Sequence, residues 1–305
     1  MTNFDLEKIV DTTDEWIRTR TGIERRHIAA DGQTLTDLCE MAARQAMEAA
    51  GVEPEDIDLI VIGTLTPDIL PSGMEYQLQE QLGITGCAAF RLEAACSGFI
   101  YALSVADKFI AGGQFRCALV LGGEILSRIL DWDDRATAVI FGDGAGAAIL
   151  QPTEEAGIIS THLRADGNYW ELLYASYGNA ENVRKRSYDD AVVKMRGNEL
   201  FKVAVRCLES IVDETLEANN MDRSEIDWLV PHQANIRIIE ATAKRLGMPM
   251  EKVILTLQEH GNTSAGSVPM ALDVAVRDGR IRRGDLILLE AFGGGVTWAS
   301  ALIRY

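Results

Sequence analysis

Cys96 is the first residue in this sequence whose type and setting could do chemistry. It lies in the run Cys87-Ala-Ala-Phe-Arg-Leu-Glu-Ala-Ala-Cys96-Ser-Gly98, which reads as a short strand, a tight turn and the start of a helix. Beyond Gly98 the apolar residues Phe99, Leu103, Ala106 and Ile110 recur at helical spacing. A thiol at a helix N-terminus faces unpaired backbone N–H groups and the positive end of the dipole, so this placement predicts a favoured thiolate and a nucleophile. Ala94, Ala95, Ser97 and Gly98 are small and leave room for a substrate at the sulfur. From this stretch alone a buried structural cysteine stays open as the alternative.

Two further side chains have comparable settings. His232, in Trp228-Leu-Val-Pro-His232-Gln-Ala-Asn235, ends an apolar strand just before a helix, a rigid mount for an imidazole. A hydrogen-bonded loop histidine is the competing reading. Asn262, in His260-Gly-Asn262-Thr-Ser264, lies among small residues before a helix, where it is either an inward-pointing amide or an N-cap. His260 is the rival for that position and suits it less well. No two ligand-type residues stand at a zinc spacing and no carboxylates cluster with the histidines, so a metal site is not expected.

The elements that must position these groups follow from patterning. Residues 34–51 read as a helix stopped by Gly51, and residues 57–63 as a strand buried on both faces. A loop at 67–71 leads to a helix over 72–82, and 118–122 reads as another buried strand. Residues 138–141 and 147–150 read as short strands joined by the glycine turn 142–146; because a strand follows, that turn is structural and not a phosphate loop. Further strands are expected at 158–163, 191–195, 226–230, 253–257, 286–289 and 298–304, with helices at 198–219, 235–246 and 268–276. Phe292-Gly-Gly-Gly295 reads as a tight turn.

An internal repeat runs through this pattern. Glu48-Ala-Ala-Gly-Val-Glu-Pro-Glu-Asp-Ile57-Asp58-Leu-Ile-Val61 matches Glu217-Ala-Asn-Asn-Met-Asp-Arg-Ser-Glu-Ile226-Asp227-Trp-Leu-Val230, and Gln81-Leu-Gly-Ile84 returns as Arg245-Leu-Gly-Met248. A duplicated α/β unit is implied, each half with a mostly parallel sheet. The halves are expected at residues 1–155, carrying Cys96, and 156–305, carrying His232 and Asn262. Ligands in such folds lie at the carboxyl ends of strands, where all three residues fall.

Bulk properties narrow the class. A net charge of −17 argues against nucleic acid as a general partner. The five cysteines are scattered and odd in number, as in a reduced, cytoplasmic protein. No run is long enough to span a membrane and the first residues have no signal-peptide core.

The motifs together carry a family resemblance. Ala94-Ala-Cys96-Ser-Gly-Phe99, Val230-Pro-His232-Gln-Ala-Asn235 and His260-Gly-Asn262-Thr-Ser264 occur in order, with Phe141-Gly-Asp-Gly-Ala-Gly146 between the first two and Glu290-Ala-Phe292-Gly-Gly-Gly295 at the close. From Asp5 to Tyr305 the chain resembles β-ketoacyl-acyl-carrier-protein synthase III of the thiolase superfamily. That resemblance implies a thiolase-like, duplicated five-layered α-β-α-β-α fold. It implies an acyltransferase that condenses an acyl-CoA starter with malonyl-acyl-carrier protein, decarboxylating the latter and initiating fatty-acid synthesis. Cys96 would carry the acyl group, and its own N–H with one near Gly294 would hold the oxyanion. His232 and Asn262 would donate to the enolate, and Phe292 would form an apolar wall beside the cysteine.

By the same resemblance Trp16 and Arg135 would sandwich the CoA adenine and Asn235 would touch the pantetheine arm. Lys202, Arg237, Lys244 and Arg245, with Arg206, would form a basic patch for the acidic carrier protein; a solvated helix face is the plain alternative. No cofactor is implied beyond the thioester substrates. A homodimer is, with a loop near 69–71 reaching the partner's pocket. Three departures stand out: the family's first strand has no counterpart here, which predicts lower stability than a chain carrying it; Arg91 replaces an aspartate common in relatives; and residues 168–196 match weakly. Competing readings are a family acyltransferase or specialised-pathway condensing enzyme with another acceptor, a cysteine hydrolase, and a non-catalytic subunit of a heterodimer.

Overall fold

The structure, a computed structural model, describes residues 1–69, 73–154, 157–175 and 192–305. In chain order its helices are α1 (Asn3–Leu6), α2 (Asp14–Thr21), α3 (Leu35–Ala50), α4 (Met74–Leu82), α5 (Gly98–Ala111), α6 (Arg135–Ala138), α7 (Gly197–Asn219), α8 (Ile236–Leu246), α9 (Leu257–His260) and α10 (Ser267–Arg277). The strands are β1 (Leu59–Gly63), β2 (Ala88–Leu92), β3 (Ala118–Glu124), β4 (Gly144–Leu150), β5 (Ile158–Ala165), β6 (Leu173–Ala175), β7 (Val193–Met195), β8 (Trp228–Pro231), β9 (Leu286–Gly293) and β10 (Thr297–Arg304).

Two four-stranded sheets organise these elements, with orders β2-β1-β3-β4 and β5-β10-β9-β8. Each has a parallel centre and an antiparallel strand joined to it: β1 runs parallel to β2 and β3, β8 parallel to β9, while β4 and β10 return antiparallel to β3 and β9. Strand alternation sends neighbouring side chains to opposite faces. In β1, Leu59 and Val61 enter one core with α5, while Ile60 and Ile62 enter another with α3 and α4. In the second sheet Leu289, Ala291 and Ala299 face α5 and α10, whereas Leu229, Leu288 and Leu302 face α7 and α8. Five layers result, with α5 and α10 between the sheets. Each fully buried aliphatic side chain there contributes about 1.5–3 kcal/mol. This is the duplicated, thiolase-like α/β architecture that the resemblance implied.

The repeat is visible element by element. The shift that carries Ile57 onto Ile226 carries the last residue of α3, Ala50, onto Asn219, the last of α7. It also carries the 3₁₀ turn Pro54–Asp56 onto Arg223–Glu225, and the start of β1 onto that of β8. Helix α3 is closed by Gly51 in the left-handed region, and Asn220 does the same for α7.

Several local expectations fail. Residues 138–141 are not a strand: Arg135–Ala138 is a helical turn capped by the Asp134 side chain, and Phe141 makes one bridge to Asn262. The glycine run 142–146 is not a turn, because β4 begins at Gly144. Its glycines give α10 room, a Cβ at Gly146 falling 2.8 Å from Met270 N and Pro269 Cβ. Residues 253–257 are not a strand either; Val253 makes a single bridge and a helical turn starts at Leu257. Phe292 and Gly293 extend β9, so the turn is confined to Gly294–Val296. The expected boundary at 155/156, the helix start at Ser72, most of the loop at 69–71 and residues 176–191 lie outside the described residues.

Candidate active site

The chain turns sharply at Cys96. After β2 a single 3₁₀ turn, Ala95–Ser97, feeds α5, with Ala95 at φ 46. Two other non-glycine residues have the same rare left-handed backbone at this place: Ser264 at φ 49 and Val296 at φ 53. Such conformations persist only where the surroundings over-determine them, and they gather at functional sites. Here the glycines supply the room. A Cβ on Gly122 of β3 would lie 2.2 Å from the Ala265 carbonyl oxygen, and one on Gly63 of β1 would lie 2.4 Å from Gly98 backbone atoms. A Cβ on Gly293 would lie 2.5 Å from Cys96 N.

Cys96, His232, Asn262 and Phe292 line one cavity of about 960 Å³, with Trp16, Arg135, Asn235, Lys202 and Arg237 also on its wall. The nucleophile, imidazole and amide expected from sequence are therefore brought together. The first two lie beyond parallel strands of different sheets, as the rule for ligand sites in such sheets requires.

The thiol is not the pre-formed thiolate that its place near a helix start suggested. Burial pushes it up to about 12, and the nearby Glu124 charge acts in the same direction. Hydrogen bonds from the Ser264 hydroxyl and from the N–H groups of Cys96 and Gly294 work against this without overcoming it. The same two N–H groups are the donors that an oxyanion hole for an acyl group on that sulfur would need.

His232 is buried, receives its backbone support by donating N–H to the Glu290 carbonyl at 2.8 Å, and its Nδ1 lies 2.6 Å from Ser267 Oγ. Burial lowers it to about 3, so the ring is neutral near pH 7. Asn262 is fixed at both ends of its peptide, by Ile140 O and Gly142 N, each at 2.9 Å. Its Oδ1 accepts from Ser264 N at 2.8 Å, which leaves Nδ2 with no protein partner among the described residues. The N-cap-like bond and the inward amide are thus one arrangement. His260 is elsewhere: its ring lies 5.2 Å from that of His27 and does not line the cavity.

The peripheral residues divide. The Arg135 guanidinium stacks 4.7 Å over the Trp16 ring and donates to Asp11 O. Asn235 caps α8 by accepting from Arg237 N and donates to Arg20 O, so its amide is largely occupied. Lys202 and Arg237 reach the cavity wall, Arg237 standing over the Phe201 ring. Lys244 and Arg245 do not line it, and Arg245 is tied to Asp213, which also binds Arg223. Arg91 pairs with the buried Glu75 at 2.9 Å. Sequence reading missed Gly293, Ser264, Ser267 and Glu124. The visible signal for Glu124 was an acid closing the apolar strand Ala118-Leu-Val-Leu-Gly-Gly-Glu124.

Comparison with known proteins finds relatives along the whole chain. Residues 216–305 match the family model described as 3-oxoacyl-[acyl-carrier-protein] synthase III C terminal, and residues 90–167 match 3-oxoacyl-[acyl-carrier-protein] synthase III. A β-ketoacyl-[acyl-carrier-protein] synthase III of Thioalkalivibrio sulfidiphilus is 59% identical over 305 residues, covering 100% of this chain and 95% of that protein. One from Xanthomonas campestris pv. campestris is 58% identical with 100% and 94% coverage. The crystal structure of 3-oxoacyl-[acyl-carrier-protein] synthase III from Aquifex aeolicus VF5 superposes with TM-score 0.94 at 47% identity, over 100% of this chain and 95% of that one. A priming β-ketosynthase from the R1128 polyketide biosynthetic pathway does so with TM-score 0.94 at 36% identity, over 99% and 91%. The chain belongs to the β-ketoacyl-[acyl-carrier-protein] synthase III family.

Proposed function

We propose that this protein condenses an acyl-CoA starter with malonyl-acyl-carrier protein, releasing carbon dioxide and CoA and forming a β-ketoacyl-carrier protein, the initiating step of fatty-acid synthesis. The observation that carries it is the meeting of Cys96, His232, Asn262 and Phe292 on one cavity. In the first half-reaction Cys96 attacks the thioester carbonyl, and the N–H groups of Cys96 and Gly294 hold the tetrahedral oxygen. CoA leaves, and the acyl group stays on sulfur.

In the second half-reaction malonyl-carrier protein loses carbon dioxide and its thioester oxygen takes up the enolate charge. Asn262 Nδ2 donates to that oxygen without exchanging a proton. His232 donates from Nε2 when the Ser267 hydroxyl, which is bonded to the Ser264 carbonyl at 2.9 Å, turns its hydrogen to Nδ1 at 2.6 Å; the Ser267 N–H keeps that carbonyl partnered. A neutral imidazole suits a donor that must not protonate the enolate carbon. The Phe292 wall disfavours the malonyl carboxylate and favours neutral carbon dioxide.

Trp16 and Arg135 line the cavity and would take an adenine between them once their present stack opens. Lys202 and Arg237 are the basic groups best placed for an acidic carrier protein; Lys244 and the ion-paired Arg245 contribute less. We infer a homodimer and no cofactor beyond the thioester substrates, on family grounds. The five cysteines are unpaired and no helix among the described residues is long and apolar enough to cross a membrane, which supports a cytoplasmic setting. A halved organisation, residues 1–155 and 156–305, fits the two sheets. Similarity to the R1128 priming ketosynthase favours a specialised-pathway starter as the second reading.

Intact-mass spectrometry tests the proposal. Acetyl-CoA should leave one acetyl adduct on the parent and none on Cys96→Ala, and malonyl-carrier protein should discharge it as a β-ketoacyl product. Discharge by water alone would replace the condensing enzyme with a hydrolase.

A further inference from the structure

Glu124 is the one buried carboxylate that the chemistry above leaves without a task although it faces the nucleophile. It ends β3 with no exposed surface. Its Oε2 accepts from the Thr64 hydroxyl at 2.9 Å, the Thr66 hydroxyl at 2.5 Å and the Thr66 N–H at 3.0 Å; both oxygens lie 3.1 Å from Leu65 N. Its Oε1 accepts from Ser264 Oγ at 3.5 Å. The same Ser264 hydroxyl stands beside Cys96 and acts on its thiol, the turns Ala95–Ser97 and Ser264–Gly266 being packed together. Ser264 is itself buried and held at φ 49, so the hydroxyl has no solvent to turn towards. A line of three groups therefore runs from the sulfur through one hydroxyl to one carboxylate.

We propose that Glu124 is the proton store of the nucleophile, accepting the Cys96 hydrogen through the Ser264 hydroxyl and returning it at the end of the cycle. This deepens the reading of Cys96 as acyl acceptor and rests on it. As the Cys96 sulfur bonds to the acyl carbon, its proton passes to Ser264 Oγ and the Ser264 proton passes to Glu124 Oε1. The carbon–sulfur bond to CoA breaks and the CoA thiolate takes a proton from water at the cavity mouth. The acyl-enzyme then stands beside a neutral Glu124. After the enolate carbon attacks, the Cys96–acyl bond breaks, and the departing thiolate recovers its proton from Glu124 through Ser264. The cycle consumes one proton, the one that CoA carries away.

Two properties suit Glu124 to this task. Desolvation raises its carboxyl to about 7, offset in part by bonds from Thr66, Leu65 and Thr64, so it exchanges a proton near neutrality. His232, held neutral down to about pH 3 by burial, is a poor store. The titratable groups that sense the Glu124 charge are Cys96 on the nucleophile turn and Cys39 on α3. The carboxylates of neighbouring turns are spent on other donors, Asp68 on Leu35, Thr36 and the Thr36 hydroxyl, Asp143 on Ala29 and Ser127. Glu124 touches no substrate; it is a positioning residue for a proton.

The test follows Cys96 by intact mass, with acetyl-CoA and with iodoacetamide, from pH 5.5 to 9.5 in the parent, Glu124→Gln and Ser264→Ala. The parent rate should rise through a midpoint near pH 7. Both variants should lose that midpoint, react at least tenfold more slowly at pH 7.5, and recover only as the pH approaches the thiol's own range. Parental rates and midpoint in both variants would overturn the proposal, as would loss in Glu124→Gln with Ser264→Ala unchanged, which assigns Glu124 to holding the Thr64–Thr66 turn. Iodoacetamide reports on the relay even where acetyl-CoA gives no adduct, so failure of the acyl-acceptor reading is seen separately.

Discussion

Gly293→Ala isolates the packing that seats the nucleophile. Gly293 has φ −146 and ψ 179, an extended backbone open to any residue, so the need for glycine is one of space alone. The added methyl would lie 2.5 Å from Cys96 N, 3.1 Å from Cys96 Cβ and 3.2 Å from Ala95 Cβ, and the first of these is backbone that no rotamer change can move. Overpacking of this kind costs about 1–3 kcal/mol. At roughly 2–4 °C per kcal/mol for a chain of this size class, the melting temperature should fall by about 2–12 °C. The catalytic loss should be larger. Parting Gly294 from Cys96 separates the two proposed oxyanion donors, and one such donor is worth about 10²–10³ in rate. Stopped-flow acylation by acetyl-CoA, read by intact mass beside a thermal melt, measures both. Gly32→Ala is the control: Gly32 has φ +78 with nothing within 4 Å of its Cβ position, so it should lose stability and keep acylation. Parental acylation in Gly293→Ala, or an equal loss in Gly32→Ala, would refute the reasoning.

Other outcomes follow from the same geometry. Asn262→Ala should acylate normally yet condense about 10²–10³-fold more slowly, so acyl-enzyme accumulates in mass spectra taken during turnover. Trp16→Ala should raise the KM for acyl-CoA roughly tenfold, in keeping with about 0.5–2 kcal/mol from a cation–π or stacking contact, and leave the rate at saturation unchanged. Glu290 is buried, its Oε2 has no protein partner among the described residues, and desolvation raises it to about 8. Its folded pKa exceeds the unfolded one, so its contribution to stability is complete below the ordinary carboxylate range and is lost as pH rises to 8. As pH rises towards 8, stability should fall by up to about 1.4 kcal/mol per pH unit for such a group. Urea titrations of Glu290→Gln should show a shallower fall.

The sequence carried the layers and the chemistry more clearly than the local turns. Helix α3 was legible because Thr34 and Gly51 mark its ends and the apolar stripe fills the space between. The repeat was legible because each half closes a long helix at matched positions, α3 with Gly51 and α7 with Asn220. Residues 138–141 misled because a β-branched, apolar string was read locally, while Asp134 upstream supplies a cap that winds the chain into a turn. Val253 misled in the same way, since one bridge to Leu229 is all the sheet offers it. The nucleophile was found but its protonation was not. Dipole and small neighbours favour a thiolate, yet burial, a property of the assembled layers, outweighs them. Glu124 escaped notice for a related reason: its partners Thr64, Leu65, Thr66 and Ser264 converge only when β1, β3 and the Asn262 turn are stacked.

The left-handed residues at the cavity have a consequence in the symmetry of the molecule. The displacement relating the two halves carries Ala95, at φ 46, onto Ser264, at φ 49, and the 3₁₀ turn Ala95–Ser97 onto Ser264–Gly266. It carries Cys96 onto Ala265. The strained elbow is thus built twice, and the thiol occupies only one copy. Its mate is a methyl group whose carbonyl presses on Gly122 and whose Cβ approaches the Cβ position of Gly98 at 3.3 Å. The chain is a two-fold pseudo-symmetric body with one reactive pole. The first elbow presents sulfur, and the second has become the mount for the Asn262 amide and the Ser264 hydroxyl that serve it.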